Sequence, residues 1–306
     1  MLVYMPFCYR CGGEIPEDAR YCHHCGTYLK VMAEEGLFRE QIEVPYPESS
    51  TAALEIVVGA PGRVEVRGGG ESLVSGTVEY NIPEWAPQVE VRGDRTRLVQ
   101  AESWEDKIKS IRDTVNRWDL RLGEGRPLSL KVKASVTKCK WHLGGLPLTD
   151  LKVETGVSEN VITFEGENPE TLRSFELNTG VGEVRVNDLL NANLTNMSVQ
   201  GGVGDLTLRF SGKRPERDAT VRVEGGVGDL KVMVDESVRA RVEVSGMVRV
   251  TTRGSFDRIG ERSSEPLEII LPQGVVYMNQ AHYLEEGPAL EIEVTMGVGS
   301  VTLSPA

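Results

Sequence analysis

Four times in its C-terminal half this 306-residue chain places Gly-Val-Gly ahead of alternating apolar residues. The copies begin Gly180-Val181-Gly182-Glu183-Val184, Gly202-Val203-Gly204-Asp205-Leu206, Gly226-Val227-Gly228-Asp229-Leu230 and Gly297-Val298-Gly299-Ser300-Val301. The first three start 22 and 24 residues apart, a spacing at which a chain stacks one supersecondary unit on the last. At about 3.3 Å per residue such a unit traces about 70 Å, enough for one coil of a β-solenoid. Coils about 4.8 Å apart would set like residues in columns. The expectation is that Val181, Val203 and Val227 form one inward column and Val184, Leu206 and Leu230 another. Glycine belongs where the chain bends and where a side chain would strike the neighbouring coil. The competing architecture is an antiparallel β-sandwich.

Period-two alternation extends over most of the chain. Leu54-Glu55-Ile56-Val57-Val58 and Arg63-Val64-Glu65-Val66-Arg67 flank a turn at Gly59-Ala60-Pro61-Gly62. Similar runs recur at Leu128–Val132, Leu151–Val153, Val221–Val223, Val242–Val244 and Ile292–Val294. The fold class expected is all-β. Only Glu105–Trp118 departs, with Ile108, Ile111 and Val115 three and four apart, which predicts one short amphipathic helix. Lys30–Glu43 is charged and could hold another. Val44-Pro45-Tyr46-Pro47-Glu48-Ser49-Ser50 reads as a hinge. The chain therefore divides into a module at 1–30, a linker at 31–50 and a β-rich domain at 51–306.

The N-terminal module carries the strongest chemical signal. Cys8-Tyr9-Arg10-Cys11-Gly12 and Cys22-His23-His24-Cys25-Gly26 bracket ten residues. Two such knuckles can bring four thiolates around a tetrahedral ion, a ligand set that suits Zn2+. The glycine after each second cysteine lets the knuckle turn back in a left-handed conformation. About thirty residues cannot bury enough surface to fold alone, and metal affinity would supply the missing stability. Four ligands leave no open coordination position, so Cys8, Cys11, Cys22 and Cys25 read as a structural site. Two disulfides, a redox Cys-x-x-Cys, or a ligand swap to His23 or His24 are the weaker alternatives. This segment resembles the minimal zinc-ribbon family, and the resemblance assigns the same four ligands.

Net charge of −12 repels phosphate backbones, and no basic patch survives in the module, so nucleic acid is not the expected partner. No apolar run is long enough for a membrane helix, and Met1–Phe7 has neither the basic nor the apolar region of a signal peptide. With four of five cysteines in metal-type pairs, the chain reads as cytoplasmic. Catalytic constellations are not evident. Cys139 and His142 are three apart on an expected strand, hence on opposite faces. His282 lies near no nucleophile motif, and Gly68-Gly69-Gly70 lacks the lysine of a phosphate loop. An acidic column of Glu183, Asp205 and Asp229 does not match calcium-binding β-helices, because the aspartate comes one place early. Trp85, Trp118 and Trp141 read as core; Trp85, between Pro83 and Pro87, is the best candidate for exposure.

The β-rich region resembles the toast-rack family, which is related to the C-terminal part of LiaF-type envelope-stress proteins. The resemblance rests on Val78-Glu79-Tyr80-Asn81-Ile82-Pro83-Glu84-Trp85, Asn116-Arg117-Trp118-Asp119-Leu120-Arg121-Leu122, Leu143-Gly144-Gly145-Leu146-Pro147-Leu148 and the Gly-Val-Gly repeats, from about 52 to the end. It implies a single-stranded right-handed β-helix without enzymatic activity, and a link to sensing or scaffolding near the envelope. Lys138-Cys139-Lys140-Trp141 departs from the family's small-residue corner, which implies a distorted coil there. The function expected is a non-enzymatic interaction or scaffold protein whose partner is a protein. The alternative is a carbohydrate or polymer binder using the solenoid face and exposed tryptophans.

Overall fold

Alternating apolar residues interrupted by a glycine corner produce long strands that bend once, and those bent strands stack. A computed structural model describes residues 24–25, 31–33, 37–100, 114–259 and 270–306. Strands β1 (Val31–Ala33), β2 (Leu37–Val44), β3 (Ala52–Val58), β4 (Gly62–Gly70) and β5 (Val74–Tyr80) come first. β6 (Gln88–Arg92) and β7 (Arg95–Val99) form a hairpin, followed by β8 (Asn116–Gly123). The bent strands β9 (Leu128–His142), β10 (Leu148–Thr163), β11 (Ser174–Asn187), β12 (Asn196–Phe210) and β13 (Ala219–Val234) follow. β14 (Arg239–Thr252), β15 (Phe256–Ile259), β16 (Ile270–Asn279), helix α1 (Gln280–Leu284) and β17 (Ala289–Pro305) complete the chain.

From β9 to β13 each strand pairs in parallel with the next, the register Phe175, Met197, Val221 advancing by one repeat per coil. Parallel stacking of this length excludes the antiparallel sandwich. The all-β expectation holds, and the architecture is solenoid-like. Inward columns such as Val132, Val153, Leu177, Val199 and Val223 are buried, as are Val186, Leu208 and Val232 on the other arm. Each such side chain withdrawn from water contributes about 1.5–3 kcal/mol. On the third side of the coils that flank β11, the loops are stitched together by asparagines. Asn168 Nδ2 donates to the carbonyls of Leu148 (2.8 Å) and Ala192 (3.1 Å), one coil to either side. Asn193 Nδ2 donates likewise to Glu170 (2.8 Å).

The last strand does not extend the stack. β17 lies between β13 and β14, parallel to both, so Gly297-Val298-Gly299 sits directly against Gly226-Val227-Gly228. β16 covers the far edge of β14 in antiparallel fashion. At the other end β3 and β4 pair with the two arms of β9, and β7 and β8 pair in turn with β3 and β4. β5 and then β2 close that edge as antiparallel strands. A buried polar knot holds this end together. Asn116 accepts from Trp118 Nε1 (2.9 Å) and from Gln100 Nε2 (3.0 Å), and donates to the carbonyl of Ala60 (3.1 Å).

Several sequence expectations are corrected. Residues 37–44 are neither linker nor helix but strand β2. Ile42 and Val44 are buried, and Phe38 stacks on Tyr80 at 5.3 Å, because the apolar residues here also alternate with period two. The helix expected over Glu105–Trp118 fails at its end, since Asn116–Trp118 open β8 and Trp118 faces the core; residues 105–113 lie outside the described residues. β9 is not distorted at Lys138–Trp141; its register with β10 is continuous from Ser129 to His142, because the corner of this strand falls earlier. Trp85 sits in a short 3-10 turn and is 1% exposed, packed in the core rather than presented by a loop. The largest correction concerns the valine column. Val181, Val203 and Val227 do align in register, but they face solvent.

Candidate functional site

The reason for the reversal lies at the corner. Along β10, Leu151, Val153 and Thr155 point inward, then Gly156 and Val157 are both exposed, and Ser158 and Asn160 point inward again. The inward phase therefore slips by one residue at the bend, and whatever follows the first glycine is carried outside. In β11 to β13 and β17 this residue is always valine.

Glycine is required around it in β11 to β13, whereas in β10 Ser158 takes the place of the second glycine. A Cβ on Gly202 would lie 2.2 Å from the carbonyl oxygen of Gly180, and one on Gly226 would lie 2.3 Å from that of Gly202. The second glycine is more constrained still: Gly204 has φ +140° and a Cβ there would meet the Gly182 carbonyl oxygen at 1.8 Å. The repeat is thus a device for bending a strand while coils remain in contact.

What it displays is an apolar ladder. Val157, Val181, Val203, Val227, Val298 and Met247 stand at successive levels, 48–54% exposed. Beside them runs an acidic column, Glu159, Glu183, Asp205 and Asp229. Glu159 pairs with Lys138 (2.8 Å), whose hydrogen bond holds its carboxyl below the usual range. Glu183 pairs with Arg185, and Asp229 accepts from Ser300 Oγ (2.7 Å). Asp205 has no cationic partner among the described residues. On the other side of the ladder, Lys133, Glu154, Asn178 and Gln200 border an open trough of about 800 Å³ with a floor at Gly156, Gly201 and Gly202.

A smaller cleft of about 240 Å³ opens among the loops near Asn191, Phe210 and Lys213. It lies below the size at which ligand pockets usually begin. Its basic groups are already engaged: Lys213 with Glu167 (3.0 Å) and Glu216 (3.2 Å), Arg214 with Glu285 (3.3 Å), and Arg217 with Thr171.

Of the expected metal ligands, Cys8, Cys11 and Cys22 lie outside the described residues, and Cys25 is exposed. Among the described residues no group of three or more His, Cys, Asp or Glu side chains could hold a metal ion. Cys139 is buried and its thiol is pushed up to about 12 by desolvation, with Thr137 Oγ1 at 3.1 Å from its sulfur. His142, three residues on, points to the outer surface and pairs with Glu165. The two therefore stand on opposite faces, as the spacing predicts. Gly68–Gly70 end a strand. Trp85, Trp118 and Trp141 are all at most 2% exposed, so none of these three offers a platform for carbohydrate.

Sequence reasoning missed the outward ladder and the Gln100–Asn116 knot. A signal for the first was available: Val181 and Val184 are three apart, and residues three apart on a regular strand cannot share a face.

Among proteins of curated function none matches the chain. The solved structures that resemble it include the following two. A candidate cell adhesion protein from Clostridium sporogenes is 19% identical with a TM-score of 0.44, covering 88% of this chain and 99% of that one. A candidate adhesin from Bacteroides fragilis is 13% identical with a TM-score of 0.38, covering 88% and 98%. The family described as the N-terminal domain of toast_rack, DUF2154, matches residues 33–187 and again 168–233. With well over half of its length so matched, and with the stacked parallel coils in place, this chain belongs to the toast-rack family.

Proposed function

We propose that this protein is a non-enzymatic, cytoplasmic interaction scaffold, in which the solenoid presents a docking face and a separate N-terminal module is held by structural zinc. The observation that carries the reading is the apolar ladder at the outer corner. A soluble surface rarely arranges six half-exposed aliphatic side chains in one unbroken line without a partner to cover them. The rigid stack beneath suits a platform, since each coil is fixed by its neighbours on both sides.

The zinc assignment rests on the donor set: two Cys-x-x-Cys pairs, each followed by glycine, supply four thiolates at Cys8, Cys11, Cys22 and Cys25. When bound, the ion would fix the fold of the module and leave no open position. Among the described residues no helix is long and apolar enough to cross a membrane. A role near the envelope belongs to the same proposal and is supported by the family resemblance alone.

Affinity co-purification with the full chain tests the scaffold reading. Specific protein partners are expected, and a chain that recovers none, with or without its N-terminal module, would refute it.

A further inference from the structure

Resting on the scaffold reading, we propose that the corner ladder is the docking site for a cationic amphipathic helix of a partner protein, about four turns long. The ladder from Val157 to Met247 spans five coil steps of about 4.8 Å, hence about 24 Å. At 1.5 Å rise per residue that length accommodates about 16 residues of α-helix. Such a helix carries apolar side chains along one stripe at a 5.4 Å pitch, close to the coil spacing. The glycine column at Gly156, Gly180, Gly202 and Gly226 sets no side chain in its way, so a helix can lie low beside the valines.

Charge selects the occupant. Within the flank Glu159 and Glu183 are held by Lys138 and Arg185, while Asp205 and Asp229 have no cationic partner among the described residues, and these two call for lysine or arginine beside the middle of the apolar stripe. A second copy of this chain is disfavoured by the same columns. A two-fold axis along the solenoid would bring Asp229 against Glu224 of the other copy. A two-fold axis across it would lay the acidic columns on one another. A β-strand partner is excluded by direction, because the ladder runs perpendicular to the strands and offers no free backbone edge.

The test uses the full chain and a fluorescent 18-residue peptide with a Leu/Ala stripe flanked by lysines, followed by anisotropy. The expected result is binding that weakens as salt rises. The Val203→Ser/Val227→Ser double variant should lose at least tenfold in affinity, and Asp205→Asn/Asp229→Asn should lose several-fold and flatten the salt dependence. Both pairs are exposed, so the fold should be retained, and a urea melt checks this. A peptide with glutamate in place of lysine should not bind. Three results would overturn the proposal: equal binding by the Val203→Ser/Val227→Ser variant, equal binding of the glutamate peptide, or a dimer in sedimentation velocity that the same variant splits. If the peptide fails while protein partners still co-purify independently of Val203 and Val227, the ladder assignment falls and the scaffold reading stands.

Discussion

Gly204→Ala should be far more damaging than its size suggests, and Gly201→Ala, three residues away, should be nearly silent. At Gly204 two costs combine. Its φ of +140° is a region that L side chains rarely occupy, which costs about 1–3 kcal/mol. The new methyl would also meet the Gly182 carbonyl oxygen at 1.8 Å. That neighbour is backbone of a stacked coil and cannot rotate away, so the coils must part, at a cost of about 1–3 kcal/mol. The sum is about 2–6 kcal/mol. At Gly201 φ is not positive and the nearest atom to a Cβ is Thr179 Oγ1 at 3.8 Å, an ordinary contact. There the loss of chain entropy in the unfolded state stabilises by about 0.4–1 kcal/mol. Urea unfolding followed by circular dichroism, with slopes compared to confirm a shared transition, measures both. If Gly204→Ala unfolds within about 0.5 kcal/mol of the parent, or if the two variants are indistinguishable, the account of the corner as an inter-coil contact is wrong.

The two faces of one strand supply a second contrast. Leu230→Ala, at a site 1% exposed, should cost about 2–5 kcal/mol, while Val227→Ala, at a site 51% exposed, should stay within about 0.5 kcal/mol by the same urea assay. Cys139 should resist thiol reagents at pH 8 in the native chain and react fully in denaturant, because burial pushes its thiol to about 12 from an ordinary 9.0. The folded state keeps the proton that the unfolded chain releases, so this contribution to stability is complete below pH 9 and is lost as pH rises toward 12. Its slope is at most about 1.4 kcal/mol per pH unit, and Cys139→Ala should abolish it in a pH series of urea melts. Elemental mass spectrometry should find one zinc per chain, lost on Cys22→Ser. Chelation should leave the unfolding of the solenoid unchanged; a chain that purifies without zinc would remove the metal site.

How much of this protein can be read from its residues is best judged at the corner. The glycines, the repeat length and the period-two arms specify a bent strand that stacks on copies of itself, because these are local demands: a turn, a path length and an alternation. Pattern reading fails where two alternations of different phase meet. Leu177 and Val184 are both buried, yet they are seven apart, so one residue must be absorbed in the bend, and only the φ values of Gly182 and its equivalents show where. That slip sends Val181 outward and creates the exposed ladder.

The remaining misses concern distance along the chain. The alternation of Phe38, Ile42 and Val44 stands beside a proline-rich stretch that looks like a hinge, and only their packing on β5 reveals a strand. The fourth repeat stands 71 residues beyond the third, with β14, β15 and β16 between them, and nothing local says that β17 returns to lie against β13. Sequence by itself therefore determined the coil: its length, its corner and the residue types that each arm buries. Tertiary structure alone decided which side of the corner faces water and the order in which the last coils stack. Both depend on contacts between backbones that are far apart in the chain; side-chain periodicity shows that Val181 and Val184 take different faces but not which of them turns inward.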